Sequence, residues 1–153
     1  MSDQSVLGPD RIKHLEFIQA VVTRLGTSSF LIKGWALTIA AALLAVLASR
    51  LEWGIALVGV VPVLAFWFLD GYFLWQERLF RKLYDDVRKP DSGVELMSMN
   101  PAPYAKTTTF WDAVFSRTLL LFYGALLLLD VALVFVGLAD WILTGCCRWS
   151  GNN

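Results

Sequence analysis

The chain has 153 residues, of which 57% are hydrophobic and 17% are charged, and its 13 basic residues are balanced by 13 acidic ones. This composition excludes a disordered chain, which would be poor in apolar residues and rich in charge. A chain without net positive charge has no overall attraction to phosphates, so no nucleic-acid partner is expected. The excess of apolar residues is typical of an integral membrane protein, whose first partner is the lipid bilayer.

The N-terminal residues 1–29 are predicted to form a cytoplasmic segment with an amphipathic helix. Asp10 follows a proline and is suited to cap the free amide groups of a first helical turn. Apolar side chains then recur at helical spacing, at Ile12, Leu15, Ile18, Val22 and Leu25. The Gly-Thr-Ser-Ser stretch at residues 26–29 predicts a bend before the membrane.

Three stretches are apolar enough to predict an all-α membrane protein with spans at residues 30–50, 53–75 and 114–141. A helix needs about 20 apolar residues to cross roughly 30 Å of hydrocarbon. Lys33 and Asp70 lie at comparable depths near the inner ends of the first two spans, so we expect them to form an ion pair. Pro62 removes one backbone hydrogen bond from the second span and is a candidate kink.

The basic residues predict how these spans are threaded. Eleven of the 13 lie before the first span, between the second and third spans, or at the inner ends of the first and third spans, and only Arg50 and Arg148 lie elsewhere. Segments rich in Lys and Arg stay on the cytoplasmic side. The N terminus is therefore predicted in the cytoplasm and the C terminus on the exported side, where Cys146 and Cys147 are either a vicinal disulfide or thiols.

A second apolar stripe follows the second span and predicts a helical extension over residues 76–89. No helix breaker lies between Trp75 and Pro90, so one helix is expected to continue from the span, and residues 90–113 are predicted to form a loop. We predict that the two stripes bury each other in a small cytoplasmic helical subdomain. The alternative is that each lies separately in the lipid headgroups. We assign six apolar positions to a face that couples the cytoplasmic part to the spans or binds a partner: Leu15, Ile18, Val22, Leu79, Leu83 and Tyr84.

Asp130 is the one charge between Thr118 and Ala139, the most apolar part of the third span. An aspartate at mid-membrane costs about 2.5–3.5 kcal/mol on the lenient insertion scale, so its side chain should face protein or water. In a symmetric oligomer it would form a ring of acids that favours cations in a pore. Alternatively it is protonated or hydrogen-bonded and holds the helices together. Three helices alone are expected to hide it poorly, which favours self-association into a homo-oligomer.

The sequence contains no motif that predicts catalysis. There is no glycine-rich phosphate loop, nucleophile elbow or zinc-binding helix motif, and the lone His14 has no cysteine or acid triad near it in the sequence. We therefore expect no enzymatic activity, no catalytic or metal-ligating residues and no cofactor.

Two runs of sequence carry a resemblance to a recurring family of small bacterial inner-membrane proteins. They are HLEFIQAVVTRLGTSSFLIKGWALTIAAALLAV and FWFLDGYFLWQERLFRKLYDDVR, with His14 to Gln19, Lys33-Gly34-Trp35 and Leu69-Asp70 among the matching residues. The layout is also similar to that of short membrane effectors of bacterial anti-phage systems, in which a cytoplasmic helical part senses a signal and the spans disrupt the membrane. The resemblance implies an inner-membrane location. With the threading that the basic residues predict, residues 142–153 would then be a periplasmic tail.

These features lead to one principal hypothesis and two rivals. The principal one is an oligomeric membrane effector or ion channel, gated from the cytoplasm by a protein or a small signalling ligand. The first rival is a non-conducting anchor that recruits a cytoplasmic partner. The second is a transporter subunit that uses Asp70 or Asp130 for protons.

Overall fold

The computed structural model describes the backbone of residues 8–49 and 53–150, and the regular elements in these ranges are all helices. The four α-helices are α1 (Pro9–Ser49), α2 (Trp53–Val87), α3 (Phe110–Val114) and α4 (Arg117–Ser150). A 3₁₀ helix, Ala102–Lys106, lies between α2 and α3. The predicted all-α class is confirmed.

Helices α1, α2 and α4 are each long and apolar enough to cross a bilayer. Of the most apolar 18-residue windows in these helices, only 11%, 22% and 11% of the residues are buried within the protein. Most of the apolar side chains therefore need another environment, for which lipid is suited. With 41 residues, α1 is about 60 Å long, so only part of it fits in a hydrocarbon layer of about 30 Å.

Two predictions about the start of α1 are wrong. The helix begins at Pro9, so Asp10 lies inside the first turn, where its charge favours the positive end of the helix dipole. Gly8 precedes the helix, and its carbonyl accepts the amides of Arg11 and Ile12 at 3.0 and 3.2 Å. Residues 26–29 do not bend the chain but continue α1. The hydroxyl groups of Thr27 and Ser28 donate hydrogen bonds to backbone carbonyls one turn earlier in the helix.

The other helix boundaries follow the sequence pattern more closely. Helix α2 continues through Pro62 and on to Val87, which confirms the prediction of one long helix that ends before Pro90. The long helix that covers the third predicted span begins three residues later than predicted, at Arg117, because Val114 belongs to the short helix α3. Helix α4 then runs on to Ser150, so residues 142–150 of the predicted tail are helical. The side chains of Cys146 and Cys147 lie outside the described part of the structure.

The chain divides into two compact units. Unit 1 comprises the described residues of Met1–Leu31 and Gly71–Phe115, and unit 2 those of Ile32–Asp70 and Ser116–Asn153. Helices α1 and α2 each contribute residues to both units.

Unit 1 has a small apolar core made by the two predicted stripes. Ile18 of α1 and Leu83 and Val87 of α2 are almost completely buried. Half-buried apolar and aromatic side chains pack around them, at Leu15, Val22, Phe80, Tyr84, Val94 and Tyr104. The two stripes therefore bury each other within one helical subdomain, as predicted.

The loop after α2 is attached to α1 by polar contacts. Arg11 donates to the carbonyls of Lys89 and Pro90, both at 3.1 Å. The buried ring of His14 contacts the carbonyl of Ser98 at 2.8 Å. These contacts give His14 a packing role and hold the first half of the loop against α1.

Gly71 allows α2 to approach the end of α3 within unit 1. A methyl group at this position would lie 2.7 Å from Val114 Cγ2 and 3.2 Å from Val114 Cα. Both distances are too short for carbon atoms, and the second involves backbone that cannot rotate away. We expect Gly71→Ala to destabilise the protein by about 1–3 kcal/mol through overpacking. Denaturant unfolding followed by circular dichroism in detergent measures this change.

The matched control for this prediction is Gly34→Ala, because Gly34 is also helical and no atom lies within 4 Å of an added methyl group there. That change should raise stability by up to about 1 kcal/mol through helix propensity alone. Equal unfolding free energies for the two variants would contradict the close packing of Gly71 on Val114.

Candidate functional site

Unit 2 contains a buried ion pair at the position that the sequence predicts. Lys33 Nζ of α1 lies 2.5 Å from Asp70 Oδ2 of α2. The side chain of Asp70 has no exposed surface, whereas that of Lys33 is 23% exposed. The predicted pairing of these residues is therefore present. Its geometry matches the rule that a charge taken out of water needs an opposite charge close to it.

Tyr123 completes this polar cluster from α4. Its hydroxyl donates to Asp70 Oδ2 at 3.2 Å, and its side chain is fully buried. The ring stacks on Trp67, with the ring centres 6.1 Å apart and the planes within 8°. Asp70 thus joins α1, α2 and α4 through one carboxylate oxygen, which gives the cluster a role in holding unit 2 together.

Asp130 lies elsewhere in unit 2, against α2. A methyl group at Gly59 would lie 3.0 Å from Asp130 Oδ1 and 3.2 Å from Oδ2, so the carboxyl group occupies the space that a side chain at position 59 would need. Oδ2 is buried and has no hydrogen-bond partner among the described residues. Within one chain Asp130 is half-buried, and the absence of a side chain at Gly59 makes room for its carboxyl group. Self-association stays a prediction that this packing does not require.

A small cavity adjoins the Asp130 carboxyl group. Its walls are formed by α1, α2 and α4, with Ala40, Leu44, Val63 and Leu126 among the lining residues. The free space is about 20 Å³, which is enough for one water molecule. The cavity is too small for an organic ligand.

Gly59 and Tyr123 are the two residues of this region that the sequence reasoning missed. For each of these two residues the sequence contains a feature that indicates its contact. Tyr123 precedes Asp130 by seven residues, which places both on one face of a helix, and a tyrosine hydroxyl in an apolar helix needs a partner. Gly59 is a small residue in a span, where small residues mark close helix contacts.

The six apolar positions assigned to a coupling or partner face all belong to unit 1. Ile18, Leu79 and Leu83 are buried, so their side chains contact other residues of the unit and offer no surface to a second protein. Leu15, Val22 and Tyr84 are half-buried around the same core.

An open groove in unit 1 presents the exposed apolar surface that these positions lack. Phe17 of α1 is 53% exposed, and Met97 and Met99 of the following loop are 49% and 37% exposed. These three side chains line the groove together with His14 and Arg24. Met97 has a positive φ of 65°, a conformation that costs energy in a residue other than glycine.

Tyr104 carries the best-defined electrostatic interaction of unit 1. Its hydroxyl donates to Asp86 Oδ2 at 2.7 Å. Burial raises the pKa of Tyr104 to about 12, and the hydrogen bond to Asp86 adds to this effect. The hydroxyl therefore stays a neutral donor throughout the physiological pH range.

The described residues contain no group of three His, Cys, Asp or Glu side chains that could hold a metal ion. Comparison of the chain with protein-family models, with characterised proteins and with solved structures gives no match. The features that bear on the function of this chain are therefore its apolar helices and their buried charges.

Proposed function

We propose that the chain is a multi-pass protein of a bacterial inner membrane, with unit 2 in the bilayer and unit 1 in the cytoplasm. The large exposed apolar surfaces of α1, α2 and α4 support insertion. The distribution of the 13 basic residues supports a cytoplasmic N terminus and a periplasmic C terminus. Exposed aromatic side chains at Trp35, Trp111 and Phe115 are of the kind that prefers the membrane–water interface.

Within this membrane the protein acts as a homo-oligomeric effector that conducts cations when it is opened from the cytoplasm. The observation that carries this proposal is Asp130, an ionisable group in the interior of unit 2 with a buried oxygen that lacks a partner among the described residues. Intramembrane acids are costly and mark ion or proton pathways more often than they serve packing alone. In an open oligomer, the carboxylates of several copies would form a negative ring that favours cations.

Unit 1 is the part that would receive the opening signal, from a cytoplasmic protein or a small signalling ligand. Its core joins residues of α1 and α2, and the same two helices supply Lys33, Asp70 and Gly59 to unit 2. A signal that rearranges this core can therefore act on helices that hold the buried charges. Depolarisation of an infected cell is the task that such an effector would perform in anti-phage defence.

Overproduction in bacterial cells tests conduction, with a potential-sensitive dye as the readout. The wild-type chain should depolarise the cells, and Asp130→Asn should abolish most of this depolarisation at an equal amount of protein in the membrane. Asp91→Asn is the matched control, because Asp91 is an exposed aspartate in the loop after α2. Depolarisation by Asp130→Asn at the wild-type level would contradict a pore that needs this acid.

A second candidate function, a non-conducting anchor, is favoured by the groove of unit 1. Phe17, Met97 and Met99 expose apolar surface beside Arg24, and flexible methionines suit an adaptable protein-binding surface. For an anchor we expect no depolarisation by the wild-type chain. A soluble protein should instead co-purify with it and be lost in Phe17→Ser. Leu121→Ser is the control, since Leu121 is a highly exposed apolar residue of α4 in unit 2.

A further inference from the structure

The carboxyl group of Asp130 lies in surroundings that suit an acid and not a carboxylate. An ionised carboxylate only accepts hydrogen bonds and needs several donors or a cation near it. Asp130 Oδ2 has none among the described residues, although it is buried. Without such partners a carboxylate in an apolar interior binds a proton instead of remaining charged.

The helices packed against Asp130 supply no compensating charge. The side chains that line its cavity are alanine, leucine and valine from α1, α2 and α4, beside Gly59, and none of them titrates. The charged pair described elsewhere in unit 2, Lys33 and Asp70, does not line the cavity. The two aspartates therefore differ: Asp70 is paired with a cation, whereas the described side chains that line the cavity beside Asp130 are apolar.

We propose that Asp130 is a proton-binding site, held at neutral pH as a carboxylic acid between α4 and Gly59 of α2. The cavity of about 20 Å³ has room for one water molecule, which would accept from the acid's hydroxyl group. Release of the proton requires more water or a cation, so it accompanies the separation of α4 from Gly59. The arrangement in which α4 has separated from Gly59 binds fewer protons, so a higher pH favours it. A lower pH favours the arrangement in which Asp130 of α4 is packed against Gly59.

This inference goes beyond the proposed conduction. A non-conducting anchor could hold the same neutral acid, and a pore could instead hold a hydrated carboxylate. If both proposals are correct, the proton keeps the closed state free of charge at Asp130, and opening creates the negative ring. The experiment below needs no ion flux and so separates the two proposals.

The test uses N,N′-dicyclohexylcarbodiimide on the full chain in detergent or vesicles. This apolar reagent adds to a protonated carboxylic acid: the acid's oxygen bonds to the central carbon of the carbodiimide, and its proton goes to a nitrogen. We expect the peptide that contains Asp130 to be labelled at pH 7, as detected by mass spectrometry, and labelling to fall as pH rises. The peptide that contains Asp70 should remain unlabelled, because its carboxylate is paired with Lys33.

A second measurement keeps the proposal falsifiable where the reagent cannot reach the cavity. The infrared carbonyl band of a protonated carboxylic acid should be present in the wild type at pH 7 and missing in Asp130→Asn. Asp91→Asn, at an exposed position, should retain the band. Labelling of Asp130, or loss of this band in the variant, supports the site. An unlabelled Asp130 together with identical infrared spectra for wild type and Asp130→Asn overturns it.

Discussion

Lys33→Met is expected to destabilise the protein by about 3–5 kcal/mol, since breaking a buried pair leaves one charge uncompensated. The remaining charge would be Asp70, whose side chain has no exposed surface. The hydroxyl of Tyr123 would still donate to this carboxylate after the change, but it carries no charge to balance it. Unfolding in a denaturing detergent, followed by helical circular dichroism, gives the difference in free energy between the variant and the wild type.

The double variant Lys33→Met/Asp70→Asn distinguishes a lost ion pair from lost packing. Asparagine keeps the shape of Asp70 and an oxygen for Tyr123, so the double variant should recover most of the stability that Lys33→Met loses. The matched control is Lys13→Met, because Lys13 pairs with Glu16 at 2.7 Å while both side chains are more than half exposed. Exposed pairs contribute about 0–1 kcal/mol. A loss at Lys33 as small as that at Lys13 would show that the buried pair contributes little to stability.

The contact between Gly59 and Asp130 predicts the second large effect. Gly59→Ala adds a methyl group 3.0 Å from Asp130 Oδ1, and the other side chains that line the cavity beside Asp130 are apolar. We expect a loss of about 1–3 kcal/mol from overpacking. In an Asp130→Ala background the same change should cost little, because the carboxyl group that the methyl group meets is gone. The coupling energy between the two positions should therefore lie within the 0.5–3 kcal/mol found for residues in contact.

Gly124→Ala calibrates this measurement, as Gly124 is a glycine of α4 with no atom within 4 Å of an added methyl group. Its effect reports the gain in helix propensity without any steric contact. The gain should be up to about 1 kcal/mol. If the changes at positions 59 and 130 were simply additive, the carboxyl group would not lie against Gly59.

The number of long apolar helices and the course of α2 could be predicted because they depend on composition and periodicity. A run of apolar residues without a breaker is read directly from the sequence, and the helix duly continues from Trp53 to Val87. The bend predicted at residues 26–29 failed for a physical reason. Glycine, serine and threonine lower helix propensity only slightly, and hydroxyl groups such as that of Thr27 are satisfied on α1's own carbonyls.

Part of the site could be predicted for a similar reason. Lys33 and Asp70 are charges of opposite sign at one depth, and two charges in an apolar unit have few alternatives to pairing. The surroundings of Asp130 were harder to predict. Which residues contact its side chain depends on how α4 is rotated about its own axis, and thus on which face of α4 points to α2. That rotation is set by the fit of Asp130 against Gly59 and of Tyr123 against Trp67. Hydrophobicity alone assigns no partner to a single acid in a run of leucines.

The core of unit 1 has a consequence for the order in which the protein is made. Ile18 gains its partners Leu83 and Val87 only after both apolar segments between them have left the ribosome. Until then the apolar face of the first helical turns has nothing of its own chain to cover it. A nascent chain stalled before residue 79 would expose this face to chaperones and proteases, so completion of the second long helix is a natural checkpoint in biogenesis.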